Sequence, residues 1–136
     1  MIEHTAVVIS SLSDEGIRFE RRIRQALEKF GIKVLQLNSS QESGAVWAAL
    51  VTDAITKADF IVAELSDRNP NVVYEIGYAH ALGKHVFLFP RQDGRALPSD
   101  LAGQQMLIYS SEQDLESLVQ DKVLPQLGRL RIAGNF

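Results

Sequence analysis

Short, mostly apolar runs alternate along this chain with segments whose apolar residues recur every three or four positions. Thr5 to Ser10 (TAVVIS), Ile32 to Leu37 (IKVLQL), Phe60 to Ala63 (FIVA), His85 to Phe89 (HVFLF) and Met106 to Tyr109 have the length and character of strands. Between the first two, Phe19, Ile23, Ala26, Leu27 and Phe30 form the stripe of an amphipathic helix that Gly31 ends. Trp47, Leu50, Val51, Ala54, Ile55 and Ala58 repeat that spacing before the third run. Leu115, Leu118, Val119 and Val123 predict a last helix, bent or ended by Pro125.

Runs that are apolar throughout, rather than alternating, predict strands covered on both faces. Strands that take turns with helices predict one α/β domain over residues 1–136. With right-handed crossovers, the expected architecture is a flavodoxin-like three-layer sandwich on a five-stranded parallel sheet, in the order 2-1-3-4-5. Ser11 with Asp14, and Ser111 with Asp114, have capping-box spacing. Residues 90–104 read as a long loop.

The stretch from Ala58 to Lys84 (ADFIVAELSDRNPNVVYEIGYAHALGK) joins a strand, a polar turn and a short helix. Asn69 ahead of Pro70 suits an N-cap with proline at the first helical position, and Asn71 is the alternative cap. Gly83 and Lys84 read as a helix stop with a terminal cation. Glu75 then falls in the first two helical turns at the carboxyl end of a strand, where open α/β sheets bind ligands. The switch point between strands one and three brings Ser10, Ser11, Ser66 and Asp67 to the same crevice.

Composition narrows the function classes. The 46% apolar and 23% charged residues of this 136-residue chain are ordinary for a globular protein. A net charge of −3 argues against a nucleic-acid binder. Arg18, Arg21, Arg22 and Arg24 alternate with Glu20 and Glu28 around one helix, the pattern of a solvated face. Zero cysteines exclude disulfides and thiolate metal sites, and fit a cytoplasmic location. No apolar run approaches the roughly 18 residues of a membrane span, and no signal-peptide pattern opens the chain. His4, His80 and His85 lack carboxylates at ligand spacing, so no metal site is expected. Gly77 to Lys84 lies within and beyond a helix, with the wrong spacing for a phosphate loop.

The segment NPNVVYEIGYAHALGK resembles the signature of TIR-like nucleotide-binding domains and of the nucleoside 2-deoxyribosyltransferases. Leu97 to Leu101 (LPSDL) followed by Leu107-Ile108-Tyr109 echoes the TIR-like group. The resemblance implies that Glu75 is the catalytic carboxylate acting at C1′ of a ribose or deoxyribose. It places Ser10, Ser11, Ser66, Asp67, Asn69 and Asn71 around a nucleotide or nucleoside. No cofactor is then required, with NAD or another nucleotide serving as substrate or ligand. Homo-oligomers are common in the resembled group.

Cleavage of an N-glycosidic bond develops positive charge on C1′, which a carboxylate beneath the sugar can stabilise or capture. A helix N-terminus would keep Glu75 ionised at neutral pH. Nicotinamide leaves NAD without protonation, whereas the base of a nucleoside leaves more readily with an acid to protonate it. The deoxyribosyltransferases resembled here usually carry an aspartate shortly before their glutamate, where this chain has Asn69 and Asn71; Asp67 or Glu64 is the nearest substitute. The expectation is therefore a TIR-like enzyme that cleaves NAD or a related nucleotide. The alternatives are a nucleoside 2-deoxyribosyltransferase and a nucleotide-sensing or self-assembling module without turnover. The aromatic rings of Trp47, Tyr74 and Tyr78 sit at helical spacing and are expected in the core.

Overall fold

The structure is a computed structural model that describes residues 4–35, 44–65, 70–91 and 106–132. Four parallel strands, β1 (Thr5–Ile9), β2 (Lys33–Val34), β3 (Phe60–Glu64) and β4 (His85–Phe89), lie in the order β2-β1-β3-β4. The helices are α1 (Asp14–Lys29), α2 (Gly44–Lys57), α3 (Pro70–Ala81), α4 (Asp114–Leu118) and α5 (Leu124–Ile132). The three-layer α/β architecture with a parallel sheet is as expected.

The predicted fifth strand is the correction. Residues 106–109 lie beside β4, yet make only isolated parallel bridges, Leu88 to Met106 and Arg91 to Tyr109. The Leu107 N–H reaches the Leu88 carbonyl at 2.7 Å and the Tyr109 N–H reaches that of Pro90 at 3.1 Å. Pro90 has no N–H to return a bond, so no continuous ladder forms there. Among the described residues the second run pairs at Lys33 and Val34, with the Leu35 N–H bonded to the Ala6 carbonyl; Gln36 and Leu37 lie outside the described residues.

Each strand sends alternate residues to two cores. Val8, Phe60, Val62, Phe87 and Phe89 face α1 and the C-terminal helices, meeting Phe19, Ile23, Leu115 and Val119. Val7, Ile9, Ile61, Ala63 and Leu88 face α2 and α3, meeting Val51, Ile55, Val72 and Ile76. Leu50, predicted on the inner stripe of α2, is exposed instead.

Local chemistry sets the helix ends. Ser13, rather than Ser11, caps α1: its Oγ accepts the Gly16 N–H at 3.1 Å. Gly31 takes φ 84° after α1 while Ile32 N–H returns to Leu27 O, and Gly83 takes φ 75° after α3 while Lys84 N–H returns to Ala79 O. The Lys84 ammonium does not serve its own helix; it donates to Ala58 O at 2.7 Å, beyond the end of α2. At α4, the Asp114 carboxylate accepts from the Ser110 and Ser111 N–H groups, and Ser111 is not the cap.

Pro125 neither ends nor starts the last helix. Residues Val119–Val123 form a π turn, in which Leu124 N–H bonds Val119 O, and α5 continues through the proline. The wider turn relieves the clash of the proline ring with the preceding turn, and the missing N–H leaves no broken donor. Among the described residues, no helix is long and apolar enough to cross a membrane.

Candidate functional site

The strand register builds the crevice. Ile9 pairs with Ala63 and Glu64 with Phe89, so Ser10 and Ser11 emerge beside Glu64 and Leu65 at the carboxyl edge of the sheet. Ser11 is buried, and its hydroxyl shares a hydrogen bond of 2.7 Å with that of the α1 cap, Ser13. Gly16 packs so closely under Ser11 that a Cβ there would overlap the Ser11 carbonyl. Ser11 is therefore held as part of the turn, while Ser10 is half-buried at the strand end.

Glu75 occupies the second turn of α3, whose buried side is Val72, Ile76 and Ala79. The glutamate is half-buried and, among the described residues, has no hydrogen bond or ion pair. Burial pushes its carboxyl from 4.5 up to about 7. The expectation of a fully ionised group is thus corrected. The helix dipole fades beyond the first turn, and Glu75 stands past it, where desolvation outweighs the dipole. A carboxylate lacking partners, half-removed from water and poised near neutrality, is the electrostatic profile of a reactive group.

Asn71 is exposed in the first turn of α3, which Pro70 opens as predicted. Ser66, Asp67 and Asn69 lie outside the described residues, as does the side chain of Trp47. Tyr74, expected in the core, is 68% exposed next to Glu75. Val72 and Ile76 define the buried side, and Tyr74, two residues from each and so about 200° around the helix, turns outward. Tyr78 packs partly against the α2/α3 core.

The other carboxylate at this edge behaves differently. Glu64 is 2% exposed and accepts the Tyr109 hydroxyl at 2.8 Å. Tyr109 in turn packs its ring 5.6 Å from that of Phe19. This pairing escaped sequence reasoning; the available signal was a carboxylate ending an apolar strand, which must find a donor once buried.

No curated protein sequence matches the chain. Among solved structures, the fold is similar to the Clostridium botulinum CMP N-glycosidase BcmB, with 19% identity over 85% of this chain and 98% of that one, and a TM-score of 0.66. It is similar also to a 2-deoxyribosyltransferase from Bacillus psychrosaccharolyticus, with 20% identity over 82% and 90% of the two chains and a TM-score of 0.65. A flavodoxin-like domain from Synechococcus sp. gives 16% identity over 92% and 99%, with a TM-score of 0.56. At such identities these likenesses carry the fold. Residues 10–125, from the Ser10 turn to Pro125, match the family described as Nucleoside 2-deoxyribosyltransferase. That match favours the deoxyribosyltransferase side of the resemblance over TIR-like NAD cleavage. With the crevice, the Glu75 helix and most of the chain inside the matched span, the protein belongs to the nucleoside 2-deoxyribosyltransferase family.

Proposed function

We propose that this protein cleaves the N-glycosidic bond of a nucleoside or nucleotide through Glu75, passing the sugar to an acceptor base or to water. The observation that carries the reading is Glu75 itself: a half-buried carboxylate without a partner among the described residues, held near pH 7 by desolvation at the carboxyl edge of the sheet.

In the first step the Glu75 carboxylate attacks C1′ as the C1′–N bond breaks. The base departs with the bonding pair and takes up a proton. In the second, a base nitrogen or water attacks C1′, the glycosyl ester breaks, a proton is released and the carboxylate returns. Poor solvation strengthens the attraction between ionised Glu75 and the oxocarbenium-like centre. Ser10, Ser66, Asp67, Asn69 and Asn71 are assigned to hold the sugar and base, and Ser11 to hold the turn. The chemistry needs neither metal nor cofactor.

NAD cleavage is the second reading. It draws support from Asn69 and Asn71, where an acid would help a neutral base to leave and where nicotinamide needs none.

Purified protein should be incubated with 2′-deoxynucleosides plus a free acceptor base, with nucleoside monophosphates, and with NAD, beside a Glu75→Gln control. Exchange of bases identifies a transferase, and free base without exchange identifies a hydrolase. Nicotinamide release shifts the assignment to NAD. Turnover on none of them, with thermal stabilisation by a nucleotide, would replace the enzyme with a binding module. Activity that falls on dilution would indicate that self-association contributes to the site.

A further inference from the structure

On the opposite face of the sheet from α3, α1 borders a groove of about 310 Å³ lined by Arg18, Arg21, Arg22, Gln25 and Glu112. The four α1 residues follow the i, i+3, i+4, i+7 spacing of a single helical face. The cations of α1 divide cleanly. Arg24 pairs with Glu20, Lys29 with Glu116, and Arg18 donates through Nε to Glu112 at 2.9 Å. Among the described residues Arg21 and Arg22 have no ion-pair or hydrogen-bond partner.

The helix therefore does not present the evenly compensated charge that its sequence suggests. Glu20 of the helix itself, and Glu112 and Glu116 from α4 and its entry loop, pair with the other cations and leave Arg21 and Arg22 on the lining. We infer that this groove binds a phosphomonoester dianion, at a site separate from the Glu75 crevice. Two uncompensated guanidinium groups match the charge of such a dianion, and each offers the planar fork that bonds phosphate oxygens in pairs. Arg18 is anchored by Glu112 through Nε, which leaves its two terminal nitrogens to donate to the same ligand. The Gln25 amide supplies a neutral donor. The patch is too short for a nucleic-acid backbone, and the chain carries −3 overall, so the fitting ligand is a small phosphate compound.

Calorimetric titration of the full chain at constant ionic strength tests this with inorganic phosphate, phenyl phosphate and a nucleoside monophosphate. Saturable binding of phenyl phosphate is expected. It should weaken at least tenfold in the double variant Arg21→Gln/Arg22→Gln, and be unchanged in Glu75→Gln. Affinity should also rise between about pH 5 and pH 7 as the ester becomes a dianion. Equal affinity for inorganic phosphate would mark free phosphate as a sufficient ligand, and preference for either ester would mark the ester as its source; both support the site. Circular dichroism of the double variant checks that it folds. Non-saturable binding, binding that survives in the folded double variant, or binding lost in Glu75→Gln would overturn the assignment.

Discussion

Glu64 and Glu75 stand on either side of the β3–α3 junction, and their surroundings divide the labour between them. Glu64 is the more deeply buried, yet its carboxylate has the Tyr109 hydroxyl to satisfy it. Glu75 keeps partial contact with water and has no such donor among the described residues, so burial alone acts on it and raises its pKa to about 7. Depth of burial does not by itself make a carboxylate reactive. Burial without a partner does, because the group is left with unspent affinity for positive charge.

Breaking the more exposed member should produce the largest effect. Glu75→Gln keeps the size and removes the charge, and glycosidic cleavage should fall by at least about a thousandfold with the fold retained. Product formation under single-turnover conditions is the measurement. Retention of activity within about tenfold would remove Glu75 from the chemistry.

The pH profile comes next. Glu75 must be ionised to attack or stabilise C1′, and its pKa is about 7. The rate at low substrate should therefore rise roughly tenfold per pH unit on the acid side and level off above neutrality. A plateau already reached at pH 5 would mean that the carboxyl ionises in the ordinary range and that its half-burial has no kinetic consequence.

Why one side of this comparison was legible in the sequence and the other was not follows from how each is specified. Strand positions are legible because Phe60–Ala63 and Val86–Phe89 are apolar throughout, the signature of buried parallel strands. The Asn-Pro-Asn turn before Glu75 and the Gly83 stop after it are local signals that place it in the helix, and the resemblance of NPNVVYEIGYAHALGK is what singles it out as the catalytic carboxylate. Its pKa was not legible, since desolvation depends on what the fold stacks around the second turn of α3. The Glu64–Tyr109 bond joins residues far apart in the chain, and no local pattern encodes it. The regular fifth strand failed for a related reason: Leu107 and Tyr109 have the right character, but pairing is decided by the partner, where Pro90 interrupts the donors. Charge on α1 was legible only as an average. That Arg18 and Lys29 meet Glu112 and Glu116 is set by α4 and its entry loop.

Tyr109→Phe probes the satisfied member. It deletes the hydroxyl and leaves Glu64 buried, so stability should drop by about 1–3 kcal/mol, read as a lower urea midpoint at unchanged m-value. The loss should be present at pH 7 with the Glu75 pH–rate midpoint kept in place. A shift of that midpoint would show that the two carboxylates are coupled rather than independent.

The smallest effect sharpens the comparison furthest, because it isolates the cost of leaving Glu75 unsatisfied. Its carboxyl has a folded pKa of about 7 against an ordinary value of 4.5. Between these values the folded state holds the proton that the unfolded state has lost, so stability must fall as pH rises through that window. Below about pH 4.5 both states are protonated and Glu75 makes no difference; above about pH 7 the penalty is complete. Glu75→Gln carries no charge and escapes it. The variant should match the wild type in stability near pH 4.5 and exceed it at pH 8 by on the order of 1 kcal/mol, after allowance for the partial exposure of the group. Paired denaturation curves at the two pH values measure the difference directly. Equal stability at both would mean that water or a neighbouring donor already satisfies the carboxylate, and Glu75 would then resemble Glu64 after all.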